Sequence, residues 1–280
     1  MSIDVSNRLK ACCLLWLLLL WVGLFVPSRL FAADVNTDVG RVQAPVAQQA
    51  QVDTAKLEVA KKLTAWLQSV LKEKQALVAV VARKGGEDVK KHDLTGMAHS
   101  GLAVYDPRAK TWLVYNLLYE QKGAEALNSL WKTAPLDFFY GQTGYEPDAL
   151  LLIPEPEVQQ RMYEAILNGN YKQLQFTQRY NLLSRYDSLD SLNCNKWLLL
   201  NIAAARSDNY NPAEVLKVIH QGFEPGLIRL NAIEKLVVKR KPNVRPEELR
   251  WHAPLETVTV ESLYRSSLFQ DRVFFSGKHL

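Results

Sequence analysis

From Cys194 to Ala205 the chain reads Cys-Asn-Lys-Trp-Leu-Leu-Leu-Asn-Ile-Ala-Ala-Ala. This stretch has the length of a helix and is apolar nearly all round. A helix with so little polar face must be covered on most sides, so it belongs at the centre of a fold. The rest of the chain has to be arranged to bury it. The helix also opens on a cysteine. The unpaired N–H groups and the dipole at a helix N-terminus favour a thiolate, so the position suits a nucleophile. It equally suits a small, inert core residue.

The first 33 residues bear on that choice. Arg8 and Lys10 precede an unbroken apolar run, Ala11 to Val26, which Pro27 and Ser28 break; Ala32 and Ala33 then supply small residues before Asp34. This is the order of a secretory signal peptide. The run is shorter than the roughly 20 residues of a membrane span. The expectation is a signal peptide over 1–33 and a periplasmic mature chain with no stable membrane span. Cys12 and Cys13 leave with the signal, so Cys194 has no internal disulfide partner. A thiol kept in an oxidising compartment is buried, paired with another chain, or reactive.

The full chain carries a net charge of +5. Cleavage leaves about +3, a surplus too small to argue for nucleic acid but compatible with an anionic envelope polymer. About 250 residues remain, enough for one domain with a real core. Residues 34–52 lack an apolar period and read as a flexible linker; 53–280 read as a single α+β domain.

Within that domain, Asp53 or Thr54 caps a helix to about Lys74, with Leu57, Ala60, Leu63, Leu67, Val70 and Leu71 on one face. Ala76 to Arg83 is a Val-rich buried strand. Met97 to Tyr105 and Thr111 to Tyr119, joined by Asp106-Pro107-Arg108, form an antiparallel hairpin. A strand at 149–153, helices from Pro156 and Pro212, a strand near 255–260 and a helix at 260–268 follow.

Strand alternation puts His99, Gly101, Ala103 and Tyr105 on one face, and Trp112, Val114, Asn116 and Leu118 on one face of the partner strand. If the faces coincide, His99 and Asn116 are neighbours. Gly101 and Ala103 are small, and the Cys194 helix is expected to lie above them and bring its thiol to His99. Cys, His and a side-chain amide then form a nucleophile–base–orienter set. The backbone N–H groups of Cys194 and Asn195 would face an oxyanion. Each residue also has a plain structural reading: a core thiol, a hairpin histidine, an amide that bonds the backbone.

Other signals are weaker. His92, Asp93 and His99 lack metal-ligand spacing, and there is no Gly-rich phosphate loop, so neither metal nor cofactor is expected. Lys239-Arg240-Lys241 through Arg245 reads as a solvated basic loop. Tyr171, Phe176, Tyr180 and Tyr186 either line a cleft or anchor a long loop.

The order of Ala98-His99-Ser100-Gly101-Leu102-Ala103-Val104, a hairpin partner, and Asn193-Cys194-Asn195-Lys196-Trp197 resembles the permuted papain-like (NlpC-type) superfamily. From about Leu57 onward the chain resembles, more specifically, an exported bacterial domain-of-unknown-function family (DUF2145). The markers are Val81-Ala82-Arg83-Lys84-Gly85, the His99 strand, Trp112 to Leu118, and Asn193-x-Asn195-x-Trp197. That family pattern often has serine where Cys194 stands and histidine where Asn116 stands; an amide can also orient an imidazole. The resemblance implies a papain-like domain, an antiparallel sheet packed on the Cys194 helix, acting on a cell-envelope component. Two functions follow: a cysteine hydrolase or acyltransferase of amide or ester bonds, with peptidoglycan peptide as first substrate and a lipid as the other envelope partner, or a non-catalytic periplasmic binding or assembly protein.

Export is checked by intact-mass analysis of a periplasmic extract. The expected mature chain begins near Ala33 or Asp34; the full-length chain in the membrane fraction would refute it.

Overall fold

A computed structural model describes residues 41–42, 53–85, 95–123, 125–142, 147–245, 247 and 254–277, all within one compact unit, Val39–Leu280. The signal-peptide reading and most of the linker reading lie outside these residues. Within the linker, β1 (Arg41–Val42) pairs in parallel with Trp131 and Lys132, so this part of the segment is tied to the sheet.

Helix α1 (Thr54–Glu73) starts where its cap dictates. The Asp53 carboxylate accepts the N–H groups of Ala55 and Lys56 at 3.1 and 3.2 Å, satisfying donors that the helix cannot pair itself. Ala60, Leu63, Leu67 and Leu71 form its buried stripe. The next strands are β2 (Val78–Lys84), β3 (Met97–Asp106), β4 (Thr111–Lys122) and β5 (Glu125–Thr133). The β3–β4 turn is held by Asp106, whose carboxylate accepts from the backbone of Arg108 and Ala109.

After β5 come α2 (Pro135–Tyr140), β6 (Ala149–Ile153) and α3 (Pro156–Asn168), the last stopped by Gly169 at φ 83°. A 3₁₀ turn leads through a long irregular segment to α4 (Cys194–Ser207). Then follow α5 (Pro212–Gly222), β7 (Gly226–Ile228), α6 (Ala232–Val238), β8 (Leu255–Thr257), α7 (Val260–Arg265) and β9 (Asp271–Phe275).

The main sheet runs β1-β5-β4-β3-β2-β6-β9, antiparallel except at β1; β7 and β8 form a separate ribbon. One face meets α1 and α2 through Ala79, Val81, Ala103, Val114 and Leu151. The other meets α3, α4, α5 and α7 through Val80, Leu102, Val104, Leu117 and Leu152. Helix α4 is central, as its composition requires: Trp197, Leu198, Leu199, Leu200 and Ile202 are each at most 1% exposed. The fold is thus α+β, with a mostly antiparallel sheet against a central apolar helix.

One expectation is corrected here. The Cys194 helix does not lie above Gly101 and Ala103, because α1 and α2 occupy that face. Nor is Gly101 small to admit a helix: β4 bends across it, and a Cβ there would stand 2.8 Å from the Tyr115 carbonyl oxygen and from Val114 Cγ1. Gly101→Ala should therefore push β4 off β3 and destabilise the domain by about 1–3 kcal/mol. Urea unfolding of the variant checks this; an unchanged midpoint would contradict it.

Candidate functional site

The site lies where β2 and β3 approach their loop-proximal ends. Arg83 pairs with His99 in the ladder; beyond them the register slips, and Lys84 pairs with Met97. The bulge leaves Ala98 unpaired and turns Met97 and His99 to opposite layers. The β3–β4 ladder ends at Leu102–Tyr115, so Met97, His99, Ser100 and Gly101 are paired only with β2.

His99 and Asn116 come together as the alternation predicts. Asn116 pairs with Trp131 of β5 and donates through Nδ2 to Trp131 O and Thr133 Oγ1, each at 3.4 Å. Those acceptors fix the amide, so Oδ1 faces His99 Nε2 at 3.4 Å. The imidazole therefore donates from Nε2, and Nδ1 carries the lone pair available to a base. The ring packs on Phe138 of α2, with centroids 5.7 Å apart.

Arg83 completes this side and was not singled out from the sequence. Its guanidinium lies 5.0 Å from the centre of the same Phe138 ring and donates Nη1–H to the Phe138 carbonyl. Gly141 leaves it room: a Cβ there would strike Nη1, so the guanidinium would have to shift. The signal was present but faint: Arg83 continues the inward alternation Ala79, Val81. Burial and the neighbouring guanidinium push the His99 imidazole down to about 3, so it is neutral at physiological pH.

Cys194 belongs to the other layer and is 5% exposed. Asn193 caps α4, accepting the Lys196 N–H at 2.8 Å, which makes Cys194 the first helical residue. The thiol donates to Asn195 Oδ1 at 3.7 Å, and that oxygen also accepts the Ser100 hydroxyl. Asn195 Nδ2 holds the Val258 carbonyl at 3.1 Å. Burial pushes the thiol up. The backbone N–H groups of Ser100, Asn195 and Cys194, and the Arg83 charge, pull the other way but do not cancel it.

The expected trio is thus met in part. His99 joins Asn116, while no hydrogen bond joins the Cys194 sulfur to the imidazole among the described residues. Their link runs through β3 itself: His99 faces α2, and Ser100, the next residue, holds the start of α4. The loop aromatics pack rather than line a cleft. Tyr171 sits against Tyr115, Tyr180 against Tyr119, and Tyr186 against His220 and Phe223. A groove of about 470 Å³ includes Arg179 and Arg245 in its lining, but none of the site residues. Among the described residues no group of three His, Cys, Asp or Glu side chains is placed to hold a metal; His92 lies outside them. Among them, too, no helix is long and apolar enough to cross a membrane.

These features define an α+β protein with a cysteine-led central helix and a strand-borne histidine–amide pair. The model of a family described as "Uncharacterized protein conserved in bacteria (DUF2145)" matches residues 70–266, and the chain belongs to that family. No curated protein and no solved structure matches the chain.

Because the folded state holds His99 neutral, protonation favours the unfolded chain. The stability it contributes is complete above the ordinary imidazole value of about 6.5 and is lost as pH falls toward the depressed value. NMR should show the His99 ring still neutral at about pH 5. Unfolding midpoints measured across that acid range should fall less steeply for His99→Gln than for the native chain.

Proposed function

We propose that this is an exported papain-like domain that acts on a cell-envelope component as a cysteine hydrolase or acyltransferase of amide or ester bonds. The observation that carries the reading is the sulfur's setting. Cys194 is the first residue of a buried helix, its thiol bonded to Asn195 Oδ1, and the backbone N–H groups of Ser100, Asn195 and Cys194 work against the burial that raises the thiol. Donors fixed in this way favour negative charge on the sulfur and, during attack, on an acyl oxygen beside it.

At rest the thiol and the imidazole are both neutral. In the reaction the thiol proton passes to His99 Nδ1 as sulfur adds to the acyl carbon, with Asn116 holding the ring through Nε2. Because the two groups rest on opposite faces of β3, a water or a movement of the strand end has to carry that transfer. Collapse of the tetrahedral adduct breaks the bond to the amine or alcohol, which leaves with the proton from His99. Water, or another acceptor, then cleaves the thioester. The substrate class rests on the superfamily resemblance, and peptidoglycan peptide is its first member to test. Export supplies the periplasmic setting.

The burial that raises the thiol favours a second reading, a non-catalytic binding or assembly protein. Complementation of a deletion strain separates the two. Cys194→Ala should abolish function, His99→Ala should nearly do so, and Asn116→Ala should leave a measurable residue, because the nucleophile and base act as one unit. Cys194→Ala should cost at most about 1–2 kcal/mol of stability, so loss of function is not loss of fold. Full complementation by Cys194→Ser would defeat the hydrolase reading, since a hydroxyl preserves the packing but is a much weaker nucleophile.

A further inference from the structure

Arg83 presents a charge that the described residues do not balance. Among the described residues its guanidinium makes one hydrogen bond, to the Phe138 carbonyl, and no ion pair. The neighbouring Lys84, by contrast, has Asp148 at 3.3 Å. The side chain is mostly buried, lying against one face of the protein's own aromatic packing, with His99 on the same ring. Burial brings the guanidinium down to about 10, which still leaves it charged at neutral pH. A cation taken out of water without an anion is costly, and an anion that joins it in the working state offsets that cost. The uncharged thiol and imidazole beside it do not supply that anion at rest.

We infer that Arg83 is a substrate-binding residue that receives a carboxylate of the ligand next to the bond presented to Cys194. This deepens the hydrolase reading and rests on it for the word substrate; the binding itself stands independently. One fixed charge and a planar fork with donors left over match a carboxylate monoanion. A phosphate dianion would call for a second cation, and the described residues at Arg83, His99 and Asn116 offer none. The ligand class is therefore an acyl or peptide compound with a free carboxylate near its reacting carbonyl.

The test follows the His99 ring resonances of the full chain by NMR during titration with N-acetylglycine, with N-acetylglycinamide and with inorganic phosphate. The carboxylate should shift the ring saturably; the amide should not, and phosphate should bind more weakly. Arg83→Gln should weaken N-acetylglycine at least tenfold, and Arg83→Lys should retain part of the affinity. Thermal melts supply the control: removing an unbalanced charge should leave the midpoint of Arg83→Gln unchanged or raised. If Arg83→Gln does not fold, the Arg83→Lys titration decides, and affinity equal to that of the native chain would overturn the inference. So would equal shifts by acid and amide, no shift by the acid, or tighter phosphate. Carboxylate binding with full complementation by Cys194→Ser would uphold Arg83 while defeating the hydrolase reading.

Discussion

The site depends on a plain property of β3: successive residues point to opposite faces. His99 turns toward α2 and meets Phe138, Arg83 and Asn116. Ser100 turns toward α4 and bonds Asn195, beside Cys194. Elements on opposite faces of a sheet have no direct contact through it. Here they share adjacent residues of one strand, at the place where that strand has parted from β4. The bulge at Ala98 and the bend of β4 over Gly101 make this parting. The Ser100 N–H has no β4 partner in the ladder, and it favours charge on the Cys194 sulfur.

The other half of the site rests on how firmly the start of α4 is held. Asn193 caps it and also donates to the Leu182 carbonyl at 3.0 Å. Lys196 is fully buried, and its ammonium donates to Ser184 Oγ and to the carbonyls of Ser188 and Ser191, with Phe176 beneath it. A buried ammonium demands such partners, and finding them in the preceding loop folds that loop back over the helix. The loop aromatics then fill the space between loop, sheet and α5. The long segment before Cys194 thus acts as a clamp on the helix start, and the sulfur's surroundings are set by backbone groups held in place.

Much of this was legible because it depends on local rules. Alternation paired His99 with Asn116, a capping carboxylate started α1, and an all-round apolar run put α4 at the centre. The elements missed are those that neighbours decide. In β5, Glu125, Ala126, Asn128 and Ser129 have weak strand preference, yet β4 offers it a nine-residue ladder. Helix α2 is six residues long, too short for any period to register. Missing β5 and α2 hid what covers the His99 face, so α4 was expected there. It also hid Phe138, and with it the position of Arg83. The resemblance to DUF2145 is matched by the family model, whereas the papain-like relation remains a proposal.

The charge balance gives the site its character. A resting thiolate–imidazolium pair would place a second cation beside Arg83, and the setting opposes this: burial, and after it the guanidinium, hold the imidazole neutral. The same guanidinium favours any negative charge formed next to it, whether on sulfur, on an acyl oxygen or on an arriving carboxylate. The fixed cation therefore disfavours the protonated base at rest and favours the anion that attack creates. A ligand carboxylate at Arg83 would cancel that charge. The guanidinium's share of the penalty on protonating His99 would then fall, while the larger share, from burial, would stay. In this arrangement the ligand's own charge removes one of the two things that oppose the base, so an occupied site takes the thiol proton more readily than an empty one with the same burial.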